Sequence, residues 1–449
     1  MPNTDVTPVT PAHTAETSRR HKRRAWTVTG LLVVFMMVNF ADKSVLGLAA
    51  DPIRRDLGLS ATGFGLANSA FFLLFSVCGA TVGLLSDRVR ARWLLLGMAL
   101  LWSLAQTPMA LGGGLVALVT SRIVLGAAEG PAFPVAQHSA LSWFPDRERN
   151  LPGALINIGV TLGVVVAAPG LTWMIQHHGW RSAFAAVAIA GGVWAAGWAL
   201  FGKDREAETP TGTQAETHGE ASGWTAVPRS GSADEETSPA PSYRRILGTG
   251  TWIGATIGYF STYWMIALSL VWVPSYLHDG LGYSATTAAN LVAGIWAINA
   301  IALLGQAGVT GWLLRRGVTS RWARARVGGI TLLASALGCA TLSQATRGPI
   351  IVLLLLVGFG LCGAMSTIAV TTVAELVPAR RRGGALGLMN AVVTTGGLIA
   401  PALTGYLVDI QGRAGYQHAV LLAAVLLLLG GTAAVTLIDP ARDARRLSS

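Results

Sequence analysis

Twelve stretches of this chain run for roughly twenty residues or more with few charges, enough to cross a bilayer as helices. They are 26–48, 62–85, 93–111, 113–137, 150–175, 181–201, 248–277, 285–314, 326–345, 349–374, 383–409 and 417–438. Charged residues make up 12% of the 449-residue chain, against about a quarter in a soluble domain. The expected fold class is an all-α membrane protein of twelve transmembrane helices. The first apolar run is too long for the core of a cleavable signal. The net charge of +11 does not indicate nucleic acid, because the basic residues gather at the ends of apolar runs, as the positive-inside rule expects. RRHKRR (19–24), DRVRAR (87–92), DRER (146–149), RRGVTSRWARAR (315–326), ARRR (379–382) and ARDARR (441–446) all fall on one side. That side is read as cytoplasmic, with both termini inside. Cys78, Cys339 and Cys362 lie in apolar runs and offer neither a disulfide framework nor metal-ligand spacing, so no metal and no cofactor is expected. Lysine occurs only at positions 22, 43 and 203, an arginine bias typical of GC-rich bacterial genomes.

The chain divides into a polar tail (1–24), a first half (25–202), a linker (203–245), a second half (246–438) and a short tail (439–449). The linker is rich in Gly, Ser, Thr, Pro and Glu. It has too little apolar content to build a core and is expected to be a disordered tether. The halves repeat. Pro145, Arg149, Asn157, Val160, Thr161 and Gly163 recur as Pro378, Arg382, Asn390, Val393, Thr394 and Gly396, each 233 residues on. Two pseudo-symmetric six-helix halves are a transporter architecture, with the solute site near the midplane between them.

The fourth run contains SRIVLGAAEGPAFP (121–134). Arg122 and Glu129 are two helical turns apart, on one face, about 10.5 Å along the axis. An ionised group at bilayer depth costs about 2.5–3.5 kcal/mol on insertion scales. Gly126, Ala127, Ala128 and Gly130 between and beside them permit a close neighbour. A charged stripe among small residues suggests a helix facing an internal solute pathway. In the first run Asp42 and Lys43 are adjacent, so they diverge by about 100° and are not expected to face one point. Asp42 lies about 24 Å along its helix, at a depth comparable to Arg122, and an Asp42–Arg122 pair is a candidate outer gate.

GLLSDRVRARW (83–93) resembles the loop signature of the major facilitator superfamily. Gly83, Asp87, Arg88 and Arg92 match it, and Arg90 replaces a usual glycine. The resemblance implies the major facilitator fold, with Asp87, Arg88 and Arg92 as a cytoplasmic gate. NFADKSVLGLAADPIRRDLGLS, SAFFLLFS, SRIVLGAAEGPAFP with WFPDRERN, GWRSAF and WVPSYL are similar to the anion:cation symporter family, which includes hexuronate, galactonate, phthalate and vesicular glutamate carriers. That resemblance implies a small organic anion carried with protons across the cell (inner) membrane, with Glu129 and Asp42 in proton coupling. Lys43 and Arg122 would then hold the substrate carboxylate. Three positions depart from the pattern: Lys43 stands for the usual arginine, Phe75 for a frequent tyrosine, and Val160 for a glutamine found in some sugar-acid carriers. Together they favour a more apolar carboxylate, aromatic ones included.

In the second half, Glu375 and Asp409 are read as charges at helix ends. Tyr259, Tyr263, Trp296, Asn299, Asn390 and Thr394 are expected to line the substrate body, with Trp264 as a further aromatic. His138 is expected to make a polar core contact. Gly159, Gly163, Pro169, Gly396, Gly397 and Pro401 suggest close packing and bending of spans five and eleven. The reading is a monomeric proton-coupled importer in the lipid bilayer, and not an enzyme. An exporter or antiporter of drugs or metabolites, and a non-transporting sensor, are the alternatives.

Overall fold

In a computed structural model the described residues are 11–85, 89–145, 148–202, 241–345 and 348–448. Among the described residues, twelve helices are long and apolar enough to cross a membrane. They are Lys22–Leu48, Ala61–Gly79, Ala91–Ala110, Leu115–Leu141, Leu151–His178 and Trp180–Phe201 in the first half, and Gly250–Val271, Ala285–Arg315, Arg321–Gln344, Ile350–Leu376, Arg381–Gln411 and Arg413–Leu437 in the second. They match the apolar runs to within a few residues. With twelve crossings, both chain ends fall at one end of the bundle, the termini end; the other is the distal end.

The sequence boundaries shift at three places. The helix that becomes span one begins at Pro11, inside the expected polar tail. Most of the linker (203–240) lies outside the described residues, but Tyr243–Leu247 is a short helix with Ile246 buried. The expected tail after 438 contains a docked helix, Pro440–Ser448. Its Asp443 is buried and accepts from the backbone N–H and the hydroxyl of Thr251, each at 2.7 Å. It therefore satisfies orphan donors at the start of span seven, where the helix dipole favours negative charge.

Spans four and ten are both interrupted. Span four is helical over Leu115–Glu129 and Ala132–Leu141, and Pro131, which has no N–H, stands in the break. Span ten is helical over Ile350–Gly360 and Ala364–Leu376. Gly130 and Gly363 occupy equivalent places in the 233-residue repeat.

Among the described residues, the buried apolar side chains fall into two clusters. One joins the distal parts of the first half (Val45, Phe64, Met109, Phe184) to the second half (Trp272, Tyr276, Leu355, Val420). The other belongs to the first half alone and surrounds Phe35, Trp102, Trp143 and Trp198. The halves are thus fused by apolar packing at the distal end. Polar contacts reinforce that closure. Asp409, at the end of span eleven, accepts from the N–H of Ala61 (2.8 Å) and Thr62 (2.7 Å), which begin span two. Trp272, whose indole donates to the Pro401 carbonyl of its own half at 2.9 Å, meets the Phe64 ring of the first half edge-on at 5.6 Å between centres. A Cβ on Gly47 would lie 1.9 Å from the Leu270 carbonyl oxygen, and one on Gly65 2.3 Å from that of Pro401. Glycine at these places lets backbones of opposite halves touch.

Candidate functional site

The packing of span four on span two fixes the site. A Cβ on Gly126 would lie 1.8 Å from the Phe71 carbonyl oxygen, and one on Gly130 2.1 Å from that of Phe75. The small residues therefore serve close approach, as the sequence suggested. This brings the rings of Phe71 and Phe75, 5.3 Å apart, beside the charged residues of spans one and four.

Lys43 Nζ lies 2.9 Å from Glu129 Oε2 and also donates to Asn39 Oδ1. The same ammonium sits 4.4 Å from the Phe40 ring centre, 5.8 Å from that of Phe75 and 5.9 Å from that of Phe71. Glu129 is the last residue before the span-four break, and its Oε1 has no hydrogen-bond partner. Asp42 is buried, accepts from Gln106 Nε2, and lies within electrostatic range of Glu129 and Arg122. Arg122 is 3% exposed. Its Nε and Nη2 have no partner, while its guanidinium lies 5.8 Å from the Phe71 ring centre.

Two expectations are corrected by this geometry. Asp42 and Lys43 both come near Glu129, although their Cβ atoms diverge. The four-carbon lysine stem swings its amine back one turn to Asn39, which adjacent Cβ directions alone do not exclude. The Asp42–Arg122 outer gate is not formed, because Asp42 is hydrogen-bonded to Gln106 instead. The distal closure is made by Asp409, the Phe64–Trp272 ring contact and close glycine contacts.

The second half faces this cluster with rings. Tyr263 lies within electrostatic range of Glu129, 6.0 Å from Phe72 between ring centres and 6.3 Å from Tyr259. Trp296 meets Phe40 edge-on at 5.7 Å, but its indole N–H already donates to Ser269 at 3.2 Å. Thr394 donates to the Asn390 carbonyl at 2.9 Å and shares a hydrogen bond with Ser76 across the halves. Trp296 and Thr394 are therefore interhelical contacts in this conformation, and their polar atoms are not free for a ligand. Asn299 packs against the span-ten break, where a Cβ on Gly363 would meet its amide. Asn390 is half-buried. Trp264 is buried, with its indole nitrogen unpartnered.

Asp87 and Arg88 lie outside the described residues. Arg92 donates to the Ala199 carbonyl at 2.7 Å, and its own carbonyl accepts from Trp198, tying span three to span six. His138 is exposed, which corrects the expected core contact. A Cβ on Gly159 would lie 2.7 Å from the Val33 carbonyl oxygen and one on Gly163 2.5 Å from that of Met37, so these glycines pack span five on span one.

Sequence reasoning missed Asn39, Gln106, Phe40 and Phe71. The signal for the first two was present: an amide inside an apolar run, in VNFADK and SLAQTPM. Together the residues form a buried, charged cluster. It has one cation held by a carboxylate, one guanidinium with open donors, and an aromatic wall opposite.

Comparison with known proteins agrees with this architecture. The family description Major Facilitator Superfamily matches residues 32–368 and 317–449. The chain is 29% identical to the hexuronate transporter of Bacillus subtilis (strain 168) over 421 residues, covering 91% of this chain and 94% of that protein. It is 27% identical over 445 residues to a protein of Escherichia coli (strain K12) named "Probable L-galactonate transporter", covering 98% and 95%. Among solved structures, the fold is similar to that of a bacterial homologue of the human lysosomal transporter Spinster in an inward-facing, unoccupied conformation. The TM-score is 0.73 at 16% identity, covering 94% of this chain and 98% of that one.

Proposed function

Because the chain belongs to the Major Facilitator Superfamily, we propose that it imports a small organic anion together with protons by alternating access between its two halves. One observation carries the reading: the buried Arg122 guanidinium has unpartnered donors beside a lysine held by a carboxylate, an arrangement suited to an incoming carboxylate. The substrate carboxylate binds between Arg122 and Lys43 and competes with Glu129 for the lysine. Glu129, released from Lys43, is the proton carrier, and Asp42 with its Gln106 partner is a second. Similarity to carriers named for hexuronate and L-galactonate supports a carboxylate as cargo. Phe40, Phe71, Phe75 and Tyr263 favour an apolar or aromatic body over a polyhydroxylated one. The protein works as a monomer in the cell membrane, with its termini inside.

The test is Glu129→Gln in proteoliposomes. Accumulation of labelled carboxylate driven by a pH gradient is expected to be lost, while counterflow exchange of the same carboxylate persists. Accumulation equal to that of the unaltered protein would remove Glu129 from coupling.

A further inference from the structure

The distal seam between the halves carries ionisable groups that the central site does not use. The short helix Ala50–Asp56 follows span one and presents Asp51 to the connection after span seven. Side-chain atoms of Asp51, His278 and Asp279 all lie within 4.8 Å of one another. Arg54, on the same short helix, and Tyr416, at the start of span twelve, face the group and interact with it. The next charges outward are Asp56 and Arg181, paired with each other at 2.6 Å within the first half. His278 is tethered by a hydrogen bond from its ring to the Tyr283 carbonyl at 2.8 Å. Two carboxyls from opposite halves thus meet where the distal end is shut. Like charges this close do not both ionise at low cost.

We infer that Asp51 and Asp279 form a second proton-binding site, one that exists only while the distal end is closed and so makes closure dependent on pH. The inference rests on the alternating-access reading, because the pair must separate when the halves part. Burial, and then Asp279, push the Asp51 carboxyl up to about 6, whereas a carboxyl freed from that contact returns toward its ordinary value. The sign follows from linkage. The closed state binds the proton more tightly, so closure strengthens as pH falls through about 6 and this contribution is absent well above it. Between pH 7.5 and 5 the ratio of closed to open molecules changes about tenfold. A proton taken from the distal side then commits the carrier to close there, without passing through Glu129.

The experiment uses the full chain in lipid nanodiscs with EDTA present. Spin labels on His178→Cys and Thr287→Cys report the distal ends of spans five and eight, with Cys78, Cys339 and Cys362 changed to Ala. Glu129→Gln is included so that the central carboxyl does not contribute. Two distance populations are expected, with the shorter one gaining about tenfold from pH 7.5 to 5. Asp51→Asn, which imitates the protonated carboxyl, is expected to hold the shorter distance at both pH values. Asp279→Asn is expected to flatten the pH response equally. A tenfold response that survives both substitutions overturns the second site while leaving alternating access intact. A single distance under every condition, with and without carboxylate, overturns both.

Discussion

The Lys43–Glu129 pair allows a quantitative test of how the central charges are held. At 2.9 Å and an effective dielectric of about 20, two unit charges attract by about 6 kcal/mol before desolvation is subtracted. The partners are not equally dependent on each other. Lys43 has Asn39 and the Phe40 ring at 4.4 Å to fall back on, and a cation over a ring gains about 0.5–2 kcal/mol. Beyond Lys43, Glu129 meets the Asp42 carboxyl, a like group that does not replace the lysine, and its Oε1 accepts no hydrogen bond. Lys43→Met therefore strands a buried carboxylate and should cost about 3–5 kcal/mol. Glu129→Gln should cost less, because the lysine keeps its amide and its ring. The double variant Lys43→Met with Glu129→Gln removes both charges and should be more stable than Lys43→Met alone. The expected coupling exceeds about 2 kcal/mol. Equilibrium unfolding of the purified protein in mixed micelles, followed by tryptophan fluorescence, measures all four corners of the cycle. Single losses that add to within about 0.5 kcal/mol would show that the two charges do not stabilise one another.

Gly126→Ala places a methyl 1.8 Å from the Phe71 carbonyl oxygen, so spans two and four must separate. A loss of about 1–3 kcal/mol is expected, together with weaker carboxylate binding, both read from thermal unfolding with and without ligand. Asp443→Ala removes the acceptor for the Thr251 N–H and hydroxyl and should cost about 1–3 kcal/mol. Hydrogen bonds from Arg442 and Thr251 hold the Asp443 carboxyl below its ordinary value, against the opposing effect of burial. Its contribution is thus present above the unfolded value near 4 and disappears as pH falls through the folded one. The difference in melting temperature between the two proteins should accordingly be constant from pH 7 to 5 and shrink only below about 4.

Much of this was legible because bilayer crossing constrains sequence so strongly. The apolar runs gave all twelve spans, and the Pro145–Gly163 and Pro378–Gly396 repeat gave the two halves. Arg122 and Glu129 stood out because charge is costly at depth. What stayed hidden depended on side-chain reach or on register between distant helices. The turn of Lys43 back to Asn39 is a matter of rotamer, not of helix angle. The Gln106–Asp42 bond joins spans one and three, and no local pattern specifies which amide meets which carboxylate. Trp296 and Thr394 have the composition of ligand-binding residues, yet Ser269 and Ser76 take up their polar atoms. The docked helix after Asp439 was invisible for a related reason: ARDARR reads as a positive-inside tail until Thr251 is brought against Asp443.

The two halves share a helix break, yet the charged chemistry lies on one side only. Span four breaks beside Glu129, and span ten breaks at the equivalent place, where repeat positions 355 and 362 hold Leu355 and Cys362 instead of an arginine and a glutamate. The break is thus common to both halves, and the central charges are confined to the first. That placement has a mechanical consequence. Lys43, Arg122, Glu129, Asp42 and Gln106 all belong to the first half, so their mutual distances survive any rigid rotation of one half against the other. Under the proposed alternating access only the wall changes, as Tyr263 and the span-ten break with Asn299 approach or withdraw. In that proposal, a substrate whose carboxylate is held by the first half alone reports its presence to the second half through the shape of its body. Affinity for the carboxylate and the drive to close are then separable: charge substitutions such as Lys43→Met should alter binding. Substitutions that enlarge or shrink the Tyr263 wall should alter how binding is converted into movement.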